Sequence, residues 1–248
     1  MYPSASREPV FNVPGVLVAT LAALILIHAV RSLLSQDADI EVLLLFAFIP
    51  ARYDTNILAN AVWPGGVGAD IWTFVTYSLL HADWMHLMFN SVWLLAFGTP
   101  LARRFGPVRF LAFFAITAAA GALAHFVTHF GQMVPMVGAS GAISGAMSGA
   151  MRFAFQRGGP LTFGGSQSYR VPALSLADSF RDPRLLAFLA VWFGLNLLFG
   201  LGGSVSLTGN DQPVAWQAHV GGFLAGLLLF SWFDPVGPAM QPPDRRAA

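Results

Sequence analysis

Apolar stretches of bilayer length dominate this sequence. Runs long enough to cross a hydrocarbon core, roughly 17–25 residues, recur near 14–34, 84–102, 108–129, 136–155, 184–201 and 214–233. Only 10% of the residues are charged and 56% are hydrophobic, whereas a soluble domain carries about 25% charged residues. The pattern predicts an all-α polytopic membrane protein, a bundle of six transmembrane helices with an embedded first external loop. No repeat divides the chain, so 14–233 reads as one core between a short N-terminal segment (1–13) and a short C-terminal tail (234–248). The first apolar run exceeds a signal-peptide core and no clear small-residue cleavage site follows it, so it reads as a retained helix.

Charge sets the expected orientation. The chain has thirteen arginines and no lysine. Eleven of them (Arg7, Arg103, Arg104, Arg109, Arg152, Arg157, Arg170, Arg181, Arg184, Arg245 and Arg246) flank one side of the proposed spans, and Arg31 and Arg52 the other. By the positive-inside rule both termini are expected in the cytoplasm. A net charge of +1 gives no reason to expect nucleic acid. The absence of cysteine excludes disulfides, thiolate metal sites and cysteine nucleophiles. No cofactor or metal is expected.

The long first external connection, about 35–83, holds two apolar runs too short to span, "IEVLLLFAFIPA" (40–51) and "WTFVTYSLL" (72–80). They are expected at the interface, where Trp63, Trp72 and Trp84 also suit the headgroup level. The segment 157–183 reads as an irregular internal connection. The glycine-rich external segment 200–213 could cover a site or be a plain connector.

Polar groups inside a bilayer are costly and point to function. Those within the proposed spans are His28, His86, Asn90, His125, His129, Ser140, Asn196 and His219. Spans two, four and six run in the same direction. His86, Asn90 one turn deeper, Ser140 and His219 therefore fall within about 10 Å of the outer helix ends at roughly 1.5 Å per residue. Small residues say which helices touch: Gly141, Gly145 and Gly149 stripe span four, and Gly222 and Gly226 share a face with His219 on span six. Small-xxx-small faces allow close backbone approach in lipid, so span six is expected against span four.

That arrangement suits nucleophilic catalysis. A serine hydroxyl needs an adjacent base, which His219 can supply to Ser140. An oxyanion needs donors; the Ser140 N–H at a helix start and the His86 and Asn90 side chains offer them. The spans contain no carboxylate, so a Ser–His dyad without aspartate is expected, its imidazole oriented by packing. Taken alone, Ser140 would read as a packing residue, and His86 and Asn90 as helix–helix hydrogen-bonding groups. Ser144 is the rival nucleophile, a turn deeper. His125 and His129 could bind metal or form an interfacial polar pair; the latter reading is preferred. His28 and Asn196 read as helix–helix hydrogen-bonding residues.

At these residues the chain resembles the rhomboid intramembrane serine proteases. The resemblance rests on "GASG" (138–141), "AHVGG" (218–222) and "HADWMHLMFN" (81–90), in that order of roles: serine, histidine and oxyanion hole. It implies catalytic Ser140 and His219, an oxyanion hole of His86, Asn90 and Ser140, and supporting Gly138, His81, Gly222 and Gly226. It also implies cleavage in or beside the transmembrane segments of single-span or polytopic membrane proteins, with small residues at the cut and helix-destabilising residues beyond it. Water would enter from the outer face, 200–213 would form a cap, and span five with Trp192 and Phe193 a lateral gate. The six-span form looks bacterial, which implies an inner-membrane location. Three positions depart from the family pattern: Trp72–Thr73 replaces a Trp–Arg pair, putting the loop's anchoring in doubt, Ala102 stands where glutamate is frequent, and Gln217 where some members carry glycine.

Other readings fit less well. A zinc protease would show H-E-x-x-H, and an aspartyl enzyme two buried carboxylates. A transporter predicts broken helices with charges near the midplane. A catalytically silent relative that binds or escorts membrane proteins would lack the serine or the histidine, and both are present.

Overall fold

The computed structural model describes residues 12–58, 63–161, 168–201 and 214–237. Most of the expected cap (200–213) and nearly all of both terminal segments lie outside the described residues. Helices α1 (Gly15–Arg31), α2 (Gln36–Phe46), α3 (Thr55–Leu58) and α4 (Gly66–Thr76) precede α5 (Trp84–Trp93). They are followed by α6 (Thr99–Phe105), α7 (Pro107–Thr128), α8 (Ser140–Ala154), α9 (Leu176–Ser179), α10 (Pro183–Leu201) and α11 (Trp216–Phe233). Among the described residues there is no strand, only an isolated bridge between Phe48 and Met136.

Each proposed span has a helical counterpart, with informative differences. Span two is α5 and α6 joined through a π-helical turn, Leu94–Gly98. Pro100 enters α6 at its first turn; it has no N–H to donate and crowds the preceding turn, which widens the helix there. Span three follows at once, because Gly106 (φ +76°) ends α6 and Pro107 opens α7. The proposed fourth span near 136–155 is shorter than expected. Residues 136–139 are non-helical, and α8 begins only at Ser140. Its 15 residues reach about 22 Å at 1.5 Å per residue, short of a hydrocarbon core of about 30 Å.

This short helix is the axis of the bundle. Every residue from Gly141 to Ala154 is buried. It is enclosed by α7, whose inward face runs Phe110, Phe113, Phe114, Thr117, Ala118, Gly121, Ala122 and His125, and by α11. A Cβ on Gly145 would meet Thr117 Cβ at 2.4 Å, and one on Gly149 would touch Leu101, Phe113 and Phe230. Among the described residues α7 alone is both long and apolar enough to cross a membrane by composition. On α11 the glycines, Gln217 and His219 lower the hydropathy, and α8 is simply short. The outer faces carry exposed Val108, Leu123, Val127, Leu224, Leu228 and Trp232, an apolar surface larger than soluble monomers tolerate.

The connection between α1 and α5 is helical and anchored. Trp72 Nε1 donates to Leu45 O at 2.8 Å and Thr76 Oγ1 to Phe46 O at 2.8 Å. Thr73 donates its hydroxyl to Ala69 O at 2.7 Å, and its oxygen lies 3.1 Å from Tyr53 OH. The guanidinium comes instead from Arg52, 1% exposed, which donates to Leu44 O and to Pro64 O at 3.2 Å and stands 5.0 Å from the Trp63 ring. The connection is thus anchored without an arginine at position 73. Phe48 and Met136 exchange backbone hydrogen bonds of 3.1 and 2.8 Å, which ties this connection to the chain just ahead of α8.

At the opposite end Ala102 is buried in the core, and the carboxylate is Asp234 after α11. Arg104 grips it with two hydrogen bonds of 2.7 and 2.8 Å and donates to Tyr169 O and Val171 O, both at 2.8 Å. Its guanidinium lies 4.4 Å from the Phe153 ring centre. Breaking a buried pair strands a charge and costs about 3–5 kcal/mol. Arg104→Ala and Asp234→Ala are each expected to lower the thermal midpoint in detergent by several degrees. The double variant should be little worse than either single one, as thermal-shift measurements would reveal.

Candidate active site

The site forms where α8 begins. Ala139 caps the helix without a side-chain hydrogen bond, and the first helical bond runs from Ile143 N–H to Ala139 O at 2.9 Å. The N–H groups of the first turn, Ser140 among them, therefore have no partner inside the helix. Gly138 makes the approach with φ +119° and donates its N–H to Tyr77 O at 3.0 Å. A Cβ on Gly138 would stand 2.7 Å from His86 Nε2 and 3.8 Å from Ser140 Oγ. Serine oxygen and imidazole edge thus face one small space that any side chain at 138 would fill.

His86 opens α5. Asp83 Oδ1 accepts its backbone N–H at 2.7 Å, an N-cap. The Ala82 N–H points at His86 Nδ1, long at 3.5 Å. A ring that accepts at Nδ1 carries its proton on Nε2, the edge turned to Gly138. Asn90, 5% exposed, follows one turn later and donates Nδ2 to His86 O at 2.9 Å. Its amide retains a second N–H.

His219 lies in the first turn of α11. The carbonyl of Ala218 would stand 3.4 Å from a Gly141 Cβ, so the residue before His219 abuts the residue after Ser140. Behind them the helices touch through backbone. A Gly222 Cβ would fall 2.0 Å from Gly141 O, and a Gly226 Cβ 2.3 Å from Gly145 O. The ring Nδ1 is 2.5 Å from Asn196 Oδ1 on α10. Nε2 is the nitrogen left for chemistry. The side-chain hydrogen bond His219 makes is the one to Asn196, and nucleophile–base bonds often close only in a substrate complex.

The structure therefore gathers Ser140, His219, His86, Asn90 and Gly138 at one end of the bundle, with Gly222 and Gly226 in the seam beneath. His81 lies in the connection before α5, outside the spanning helices and fully buried, its ring 5.2 Å from that of His86. Burial pushes its pKa down to about 3, so it is neutral and packs behind His86. Ser144, 4% exposed, sits inside α8. His125 and His129 stack at 4.3 Å and bond to Val134 O and His125 O; among the described residues no group of three potential ligands forms. His28, expected to hydrogen-bond between helices, bonds to the backbone of His81 in the connection before α5 and packs edge-on against the Trp84 ring at 4.6 Å.

Asn196 went unassigned to the site by sequence reasoning. Leu185, Leu189, Trp192 and Asn196 repeat at 4, 3 and 4 residues, the spacing of one helical face. That signal marks Asn196 as inward-facing, but it does not say that His219 is opposite.

A profile of the rhomboid domain matches residues 68–233, two thirds of the chain. The protein belongs to the rhomboid family. It is 27% identical over 165 residues to RHOMBOID-like protein 12, mitochondrial, of Arabidopsis thaliana, covering 64% of this chain and 45% of that one. It is 25% identical over 169 residues to Rhomboid-related protein 2 of Mus musculus, covering 66% and 50%. Rhomboid protease GlpG of Haemophilus influenzae is 27% identical over 75 residues, covering 30% and 38%. The matched region spans half or less of the length of these relatives. Family membership implies an integral membrane protein.

Two outcomes test this geometry. Gly222→Ala forces α11 off α8 and is expected to cost about 1–3 kcal/mol, while Gly15→Ala, with nothing within 4 Å, should be neutral in the same detergent melts. His81 has a folded pKa below its unfolded value of 6.5. The unfolded chain then binds the extra proton, so stability should fall as pH drops from about 6.5 towards 3. His81→Phe should flatten part of that slope in unfolding midpoints measured across pH.

Proposed function

We propose that this protein is an intramembrane serine endopeptidase that hydrolyses peptide bonds in or beside the transmembrane segments of membrane proteins. Ser140 Oγ attacks the substrate carbonyl carbon while His219 Nε2 takes its proton. The tetrahedral oxyanion is met by the Ser140 N–H, His86 Nε2–H and the free Asn90 N–H. As the C–N bond breaks, His219 returns the proton to the leaving amine. Water, activated by the same imidazole, then cleaves the acyl ester. What carries the reading is the joint placement of the Ser140 hydroxyl and the His86 edge around Gly138, with Ala218, the residue before His219, packed against Gly141.

The surroundings fit a lateral approach. Within 183–198 only Leu185, Trp192 and Asn196 are buried, so α10 is held by a thin strip. Trp192 stacks on Phe223 at 4.7 Å, and Phe193 lies beside it. A substrate helix would enter where these aromatics part. The arginine distribution supports cytoplasmic termini and a site open to the outer face of the membrane; the six-span resemblance is what points to a bacterial inner membrane.

Wild-type protein reconstituted in liposomes with a generic single-span substrate should cleave it. Ser140→Ala and His219→Ala, folded as judged by thermal melts, should each lose about 10³-fold or more in kcat. A fluorophosphonate probe should label wild type and the Ser144→Ala variant but not Ser140→Ala. Cleavage surviving in folded Ser140→Ala, or a wild type inert towards both substrate and probe, would favour a silent binding protein instead.

A further inference from the structure

The base has a partner that packing alone does not provide. Asn196 is 9% exposed on α10, and its Oδ1 lies 2.5 Å from His219 Nδ1. Its Nδ2 donates to the carbonyl of Trp192, one turn earlier, at 2.8 Å. That second bond decides the orientation of the amide. Turned over, the amide would set its oxygen against the Trp192 oxygen, acceptor against acceptor, and its NH₂ against the imidazole. In the orientation that satisfies both contacts the oxygen faces His219, so Nδ1 must be the protonated nitrogen and Nε2 carries the lone pair.

From this we infer that Asn196 is a positioning residue for His219. It fixes the tautomer in which Nε2 can accept the Ser140 proton, and it stabilises the imidazolium that forms when it does. The inference rests on the reading of His219 as general base. An amide suits this place: the spans supply no carboxylate, and a neutral acceptor orients the ring without burying a charge. The device is held in register by the Trp192–Phe223 stack and by the exposed-to-buried pattern of α10, which turns Asn196 to α11. From the other packed elements His86 on α5 lies within electrostatic reach of His219, and Gly141, next to Ser140 on α8, abuts Ala218.

Full-length protein labelled with ¹⁵N-histidine and reconstituted in lipid gives a readout that needs no turnover. The His219 signals, assigned by their loss in His219→Gln, should report an Nδ1-protonated ring. Asn196→Leu, similar in volume and without an acceptor, should lose that tautomer preference. Its kcat should fall about tenfold with KM nearly unchanged, the share expected of one hydrogen bond to a group that becomes charged. Asn196→Asp should restore both the tautomer and most of kcat. Leu185→Ala trims an apolar contact eleven residues from Asn196, about 16 Å along the helix, and should leave tautomer and kcat as in wild type. The inference is overturned if Asn196→Leu keeps the wild-type tautomer and kcat, or if Leu185→Ala lowers kcat as much. If wild type cleaves nothing, the protease reading fails on its own, and the tautomer comparison still decides the role of Asn196.

Discussion

The contact on which the molecule depends is backbone against backbone, α11 on α8. Between helices in lipid there is no hydrophobic force to exploit, because the tails are as apolar as the side chains. Close approach is what yields dispersion and dipolar gain, and Gly141, Gly145, Gly222 and Gly226 permit it. A Cβ at 222 would sit inside the Gly141 carbonyl. The seam also fixes the axial register. His219 is three residues before Gly222 and Ser140 one before Gly141, so the glycine pairing sets the level of hydroxyl and imidazole. A slip of one turn would part them by about 5.4 Å.

Each end of the bundle satisfies its polar groups differently. At the end away from Ser140, full charges are paired. Arg104 is closed on Asp234, and Arg152 donates to Leu174 O and Leu227 O. Both guanidiniums pack on phenylalanine rings. At the Ser140 end the charges, Arg31 paired with Asp39 and Arg52 held on backbone carbonyls, belong to α1 and the connection after it, and around Ser140 itself the groups are imidazoles, amides and a hydroxyl. Neutral dipoles can be enclosed without the cost of burying an unpaired ion, and they remain available to a charge that appears only during reaction.

Much of this was legible because helices in lipid obey simple rules. Length and apolarity located the helical elements; glycine spacing named the α8–α11 seam; depth along parallel spans grouped His86, Asn90, Ser140 and His219. What was not legible depends on contacts between segments distant in sequence. Trp72–Thr73 could not reveal that Arg52, twenty residues earlier, would supply the guanidinium. The composition of 136–155 could not show that its first turn is drawn out straight by the bridge to Phe48, which moves the helix start to Ser140. For Asn196 the spacing gave the face, while its partner required the azimuth of α11.

The position of Asn196 has a mechanical consequence. Nearly all of α8 is buried, yet α10 contributes only Leu185, Trp192 and Asn196 to the interior over 183–198. A thinly anchored helix therefore holds the oxygen that meets His219 Nδ1. A hydrogen bond of 2.5 Å weakens steeply as its atoms part or tilt. Displacement of α10 from α11 sufficient to admit a helix beside Trp192 must stretch or turn it. Opening and base orientation are then linked by geometry. The ring is best aligned with α10 seated, and a substrate that leaves α10 displaced would meet a less ordered imidazole. Under the proposed protease function, selectivity among membrane helices would then depend on how completely each lets α10 return, as well as on the residues at the scissile bond.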